Sequence, residues 1–387
     1  MDTQLALPLG RRQSSSTARL RSLAIALESQ PCATKDVSSP VLAKLDAIER
    51  YECCTAHADL PCLTCCQRSY KFVTGKDPLI QGLWPAFITP LTKSGEVDVA
   101  AVQPLCDYFI NECGVDGLYV CGGTGEMRSL DISARKTMCA ETCRAVAGRV
   151  PIVVCVGETN NIAEAVDLSE HAKSVGADGL SSTVPKFALD DPANLLEKTV
   201  ELYAAIGGVG LPLYAYWIAA TRGDWGTQEY LDAMASVPNF AGLKFTDYEF
   251  NGFQNIMSRS GFSLNVVSGP DEMMVAGKAM GAHGAIGTTY NVMPKMNVAC
   301  HKLFVAGDLV GATDMQFKQN RVIEILTGKA VECRRDPAKT LAACKMVMRV
   351  LQGLPAGYVH PNTSAELTAD ESAELFAAIE KLGFVPE

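Results

Sequence analysis

A single lysine, Lys244, lies in the middle of the apolar run NFAGLKFTD, Asn239 to Asp247. Burying an ammonium is costly unless it is paired, neutralised or used in chemistry. A purely structural lysine would pair with Asp247 or reach along its stem to solvent. The chemical alternative is a nucleophile: burial disfavours the charged form, and a neutral amine adds to a ketone to give a Schiff base.

Other residues could serve such an amine. Tyr216, in LPLYAYWIA, offers a hydroxyl that can move a proton, and its alternation with Tyr214 puts both rings on one strand face. In CGGTGE, three glycines let the backbone approach a ligand, and successive amides around Gly123 and Thr124 can hold a carboxylate without a basic side chain. By itself this is only a tight turn. Asp271 and Glu272 either begin a helix, where acids suit the dipole, or accept hydrogen bonds from a polyhydroxylated ligand. Thr288, in GTTYN, offers one more hydroxyl.

These residues need a scaffold that brings five distant segments to one place. From residue 82 onward eight short apolar runs alternate with helix-like stretches, opening at Leu83, Gly117, Pro151, Gly176, Leu211, Phe240, Leu264 and Gly284. Eight such units predict a closed (β/α)8 TIM barrel, an α/β fold whose catalytic groups sit at the C-terminal ends of the strands. Tyr216 and Lys244 fall late in the fifth and sixth runs, and the other candidates follow runs two, seven and eight. A doubly wound sheet would open on a glycine-rich dinucleotide fingerprint, and AFITPLTKSGEV has none. The segment ISARKTMCAETCRAVAG predicts a helix capped by its glycine; Thr368 and Glu371 predict a capping box for a last helix ending at Gly383. The expected organisation is a Cys-rich leader (1–80), a catalytic barrel (81–295) and a C-terminal helical extension (296–387).

The formal charge is −9 over 387 residues. Ten Lys/Arg against eight Asp/Glu in residues 1–80 leave −11 for the remainder. An acidic body argues against a nucleic-acid partner, and no run of about eighteen apolar residues predicts a membrane span. Fifteen cysteines, many inside predicted elements, fit buried free thiols better than a disulfide framework. Five of them, Cys53, Cys54, Cys62, Cys65 and Cys66, surround His57 in a spacing that matches no standard zinc site, and no metal is assigned. The Arg- and Ser-rich start faintly resembles an organelle transit peptide; the expected location is otherwise cytoplasmic.

Taken together, GLYVCGGTGE, LPLYAYWIAATRG, FAGLKFTD and GPDEMMVAGKAMGAHGAIGTTYNVM resemble, in order and spacing, the N-acetylneuraminate lyase and dihydrodipicolinate synthase family of class I aldolases. The likeness runs from about Gly82 to Gly328 and more thinly beyond. It implies an imine on Lys244, acid/base work by Tyr216, and capture of a pyruvyl carboxylate at Gly123 and Thr124. GPDE and GTTYN look like the sialic acid lyase branch, in which Gly269, Asp271, Glu272, Thr288 and Thr246 would bind the polyol tail. The resemblance further implies a homotetramer acting on a small 2-oxo acid without metal or organic cofactor. Four positions depart from the pattern: Gly123 stands where a hydroxyl residue is usual, Phe187 where bacterial members carry a tyrosine, Ala219 for a proline, and Pro270 before Asp271. The synthase branch places an arginine five residues after the tyrosine, a position held here by Thr221, with Arg222 next. The alternatives are another pyruvate-dependent member, such as a 2-keto-3-deoxy sugar acid aldolase or dehydratase or dihydrodipicolinate synthase itself, or a non-catalytic sensor of pyruvate or a sugar acid.

Overall fold

The computed structural model describes residues 70–71, 73–362 and 366–385. The leader's cysteine cluster, His57 and the transit-like start lie outside the described residues.

Eight parallel strands follow one another: β1 (Gly82–Pro85), β2 (Leu118–Val120), β3 (Ile152–Cys155), β4 (Gly179–Ser182), β5 (Leu213–Ile218), β6 (Phe240–Thr246), β7 (Asn265–Ser268) and β8 (Gly284–Gly287). Each pairs with its sequence neighbour, and β1 pairs with β8. A parallel bridge between Ala86 and Tyr119, with the Phe87 amide donating to the Tyr119 carbonyl at 2.8 Å, joins the end of β1 to β2 and closes the ring. The connecting helices are α1 (Val99–Asp107), α2 (Ile132–Val146), α3 (Ile162–Ser174), α4 (Leu195–Gly207), α5 (Thr227–Met234), α6 (Phe250–Arg259) and α7 (Met274–Ala279). The expected (β/α)8 barrel is therefore the observed fold.

Strand alternation separates two cores. In β5, Tyr214 and Tyr216 join Trp84, Tyr119, Val267 and Ile286 inside the barrel, whereas Leu213, Ala215 and Trp217 face the helices. The nine described cysteines are buried and free, as their placement in apolar runs implied. One helix end differs from expectation. Helix α2 stops at Val146, and Ala147 takes the left-handed cap at φ 50° one residue before Gly148, which continues at φ 73°. Two successive left-handed residues make the reversal that one glycine was expected to make.

Beyond β8 come α8 (Pro294–Val305), α9 (Leu309–Leu326), a hairpin of β9 (Lys329–Ala330) and β10 (Cys333–Arg334), α10 (Thr340–Val350) and α11 (Ala369–Leu382). Helix α11 opens on the Thr368–Glu371 capping box and ends at Gly383 with φ 71°. No helix among the described residues is long and apolar enough to cross a membrane.

Candidate active site

Strands β5 and β6 run in register so that Tyr216 lies opposite Lys244 and Ile218 opposite Thr246. Lys244 is 3% exposed. Its Nζ lies 4.0 Å from the centre of the Tyr216 ring and 4.2 Å from that of Tyr119, so two aromatic faces accommodate the amine. Asp247 is not its partner. The Asp247 carboxylate accepts from Arg222 Nε at 2.8 Å, from Trp217 Nε1 at 3.2 Å and from the Glu249 amide at 3.2 Å. Burial works against the charge of Asp247, but the Arg222 guanidinium and the other donors hold its carboxyl below the usual range. Arg222 also lies over the Trp217 ring, 5.0 Å from its centre. The structural explanation offered for Lys244, a pair with Asp247, is therefore absent.

The turn after β2 places left-handed residues at both ends, Cys121 at φ 55° and Glu126 at φ 63°. Between them, a methyl group on Gly123 would stand 3.8 Å from the Tyr216 hydroxyl, an ordinary contact distance that places the turn beside that hydroxyl. Thr124 Oγ1 and Thr288 Oγ1 share a hydrogen bond of 2.7 Å that links the mouths of β2 and β8.

Asp271 organises the turn after β8. One carboxylate oxygen accepts from the Thr288 amide at 3.1 Å, the other from the Thr289 amide at 2.5 Å and the Thr289 hydroxyl at 2.6 Å. Sequence alone suggested an acceptor for ligand hydroxyls; the structure shows a side chain that already receives three internal donors. Burial is the largest influence on this carboxyl and pushes its pKa up to about 6, with the Thr289 and Thr288 donors working the other way. A carboxyl with a raised pKa binds its proton more readily in the folded than in the unfolded chain. Its stabilising contribution is present at low pH and is lost as pH rises from about 4 through about 6. We expect urea denaturation at pH 5 and pH 7.5 to show the upper part of this loss, about 1.4 kcal/mol, and Asp271→Asn to flatten that part of the profile.

Glu272, by contrast, stands at the rim, where its Oε1 accepts from the Tyr248 hydroxyl at 2.7 Å. Gly269 passes directly against Thr246: a Cβ there would lie 2.0 Å from Thr246 Oγ1, so only glycine allows β7 to end at this position. The Thr246 hydroxyl is buried and has no hydrogen-bond partner among the described residues. An unpaired buried hydroxyl is unfavourable unless something else satisfies it.

Seven of the nine candidates, Tyr216, Lys244, Thr246, Gly269, Asp271, Glu272 and Thr288, line one cavity of about 250 Å³ at the C-terminal mouth of the barrel. Thr124 joins it through Thr288, and Gly123 borders Tyr216. Sequence reading missed three contributors. Tyr119 resembles any buried strand aromatic, and only its alternation with Val120 marks it as inward. Tyr248 follows Lys244 by four residues, just beyond β6, where nothing in its spacing marks it. The third is the wall of Ile323, Thr327, Lys329 and Thr340, supplied by the C-terminal extension, for which the sequence held no local signal. Phe187 lies outside this cavity in a short turn, Lys186–Ala188, and is 41% exposed.

The profile of the dihydrodipicolinate synthetase family matches residues 79–380. The chain belongs to this family. Members of the dihydrodipicolinate synthetase family are class I pyruvate-dependent lyases, and the chain is an enzyme of that class acting on a small molecule. It is 31% identical to the N-acetylneuraminate lyase of Rattus norvegicus over 302 residues, covering 76% of this chain and 92% of that protein. The N-acetylneuraminate lyase of Homo sapiens is 30% identical over 314 residues, 79% of this chain and 93% of that one. Among solved structures, the N-acetylneuraminate lyase (sialic acid aldolase) of Aliivibrio salmonicida superposes with a TM-score of 0.70 at 25% identity, covering 79% and 97% of the two chains.

Proposed function

We propose that this family member reversibly cleaves N-acetylneuraminate to N-acetylmannosamine and pyruvate through an imine on Lys244. The observation that carries the reading is the single cavity joining Lys244 and Tyr216 to Thr246, Glu272 and Thr288, residues whose hydroxyl and carboxylate groups suit a polyol. Arg222 supports the same branch. It pairs with Asp247, stacks on Trp217 and does not line the cavity, so it is not placed as the arginine with which the synthase branch binds a second carboxylate. The 30–31% identity to proteins named N-acetylneuraminate lyase agrees.

In this mechanism the substrate carboxylate rests on the amides at Gly123 and Thr124. The Lys244 amine attacks the 2-oxo carbon, and loss of water gives a protonated imine, an electron sink. Tyr216, with the substrate carboxylate, takes the C4 hydroxyl proton while the C3–C4 bond breaks; its electron pair flows into the imine to leave an enamine, and the aldehyde departs. Protonation of the enamine at C3 and hydrolysis return pyruvate and free Lys244. Asp271 acts indirectly by holding Thr288 toward Thr124. The homotetramer implied by the resemblance is part of the same proposal.

Turnover of N-acetylneuraminate against a panel of 2-keto-3-deoxy sugar acids, and condensation of pyruvate with aspartate semialdehyde, test the substrate. We expect kcat/KM for N-acetylneuraminate to exceed that for each competitor by at least about tenfold, ~1.4 kcal/mol of transition-state preference. Preferred turnover of another acid moves the chain to a sister activity, and failure with every substrate leaves the sensor.

A further inference from the structure

We propose that Lys345, in the C-terminal extension, is a positioning residue for the turn that receives the substrate carboxylate, acting through an ion pair with Glu126. The inference rests on the reading above that the Gly123–Thr124 amides bind that carboxylate.

Glu126 ends the turn, and its own amide donates to the Gly123 carbonyl at 3.1 Å while the Met127 amide donates to Gly122 at 3.2 Å. Its backbone takes φ 63°, a conformation uncommon for a residue with a side chain. Its side chain is held by Lys345. Its Nζ lies 2.5 Å from Glu126 Oε1, and the two side chains are 0% and 1% exposed. The remaining donors of the ammonium go to the Thr89 carbonyl at 2.7 Å and the Tyr358 carbonyl at 2.6 Å, and the other Glu126 oxygen accepts from the His360 amide at 2.7 Å. The Thr89 hydroxyl in turn donates to the Gly125 carbonyl at 2.7 Å.

One buried ammonium thus fastens three segments: the loop after β1, the turn after β2, and the chain returning from α10. The return is itself fixed. The Tyr358 amide donates to the Leu91 carbonyl at 2.8 Å, and the Arg349 guanidinium lies 4.4 Å from the centre of the Tyr358 ring and donates to the Gly357 carbonyl. A buried ion pair is a weak source of stability compared with apolar packing. Its value here is geometric, because it sets where the Gly123 and Thr124 amides point while contributing no charge to the cavity.

A structural role and a positioning role separate by the ketone used. Imine formation on Lys244 is followed by borohydride trapping over a concentration series of pyruvate and of hydroxyacetone, which has the ketone but no carboxylate. The variant is Glu126→Gln/Lys345→Met, which removes both charges together and leaves neither buried alone. We expect the half-trapping concentration of pyruvate to rise roughly tenfold or more, that of hydroxyacetone to stay within about twofold, and circular dichroism to remain that of the parent. Equal shifts for both ketones, or none for pyruvate, overturn the inference. Should the double variant not fold, Glu126→Asp takes its place in the same two arms, since it keeps both charges and shortens the tether by one methylene. A parent enzyme that traps no pyruvate overturns the underlying reading as well, a result distinct from lost selectivity in the variant.

Discussion

Lys244→Met is expected to abolish carbon–carbon cleavage while leaving the barrel folded. Lysine and methionine are similar in length, and the position is 3% exposed between the faces of Tyr216 and Tyr119, so the thioether takes up the same space. Without the amine there is no covalent route, and kcat falls by at least ~10⁴-fold, since binding and electrostatics alone sustain only a remnant of such catalysis. Stability moves the other way. Replacing a buried amine that pairs with no carboxylate among the described residues by an apolar side chain removes a desolvation cost, and the thermal midpoint is expected to be unchanged or higher. Steady-state assays and a melting curve on the same preparation check both halves. A variant that loses activity by unfolding gives a lowered midpoint and is readily told apart.

Tyr216→Phe removes one hydroxyl and keeps the ring. That ring still packs edge-on against Tyr119, 5.8 Å between centres, and still faces Lys244. Imine formation is therefore expected to survive, whereas turnover falls about 10²–10⁴-fold, the range for losing a positioned proton-transfer group. Borohydride trapping alongside steady-state kinetics separates the two steps. Full turnover with the phenylalanine would assign the proton to another group.

The fold was legible because its signals are local and repeated. Eight apolar runs of strand length, each punctuated by glycine or proline, predict parallel β/α units without knowledge of any long-range contact, and the capping box at Thr368 and Glu371 is read within four residues. The barrel rule then turned strand position into site position, which is why Lys244, Tyr216, Thr246, Gly269 and Thr288 fall together in one cavity.

What escaped sequence reading depends on partners far apart in the chain. Asp271 reads as a free acid until Thr288 and Thr289 are seen to fill both its oxygens, and Arg222 reads as available until Asp247 claims it. Lys345 looks like the charged residue of an amphipathic helix, yet it is fully buried against a glutamate 219 positions earlier. The cavity wall supplied by α9, the hairpin and α10 has the same origin. Nothing in Thr327 or Lys329 by itself marks it as facing a lysine of β6. In each case the deciding interaction is tertiary, and a pattern of spacing within one segment carries no trace of it.

The central claim is that Lys244 is the nucleophile of a pyruvate-dependent lyase. Incubation with pyruvate and borohydride, followed by proteolysis and mass spectrometry, tests it most directly. The account predicts a reduced adduct confined to the peptide carrying Lys244 and absent from Lys244→Met. No adduct, or an adduct on Lys278, Lys345 or any other lysine with Lys244 unmodified, would contradict it.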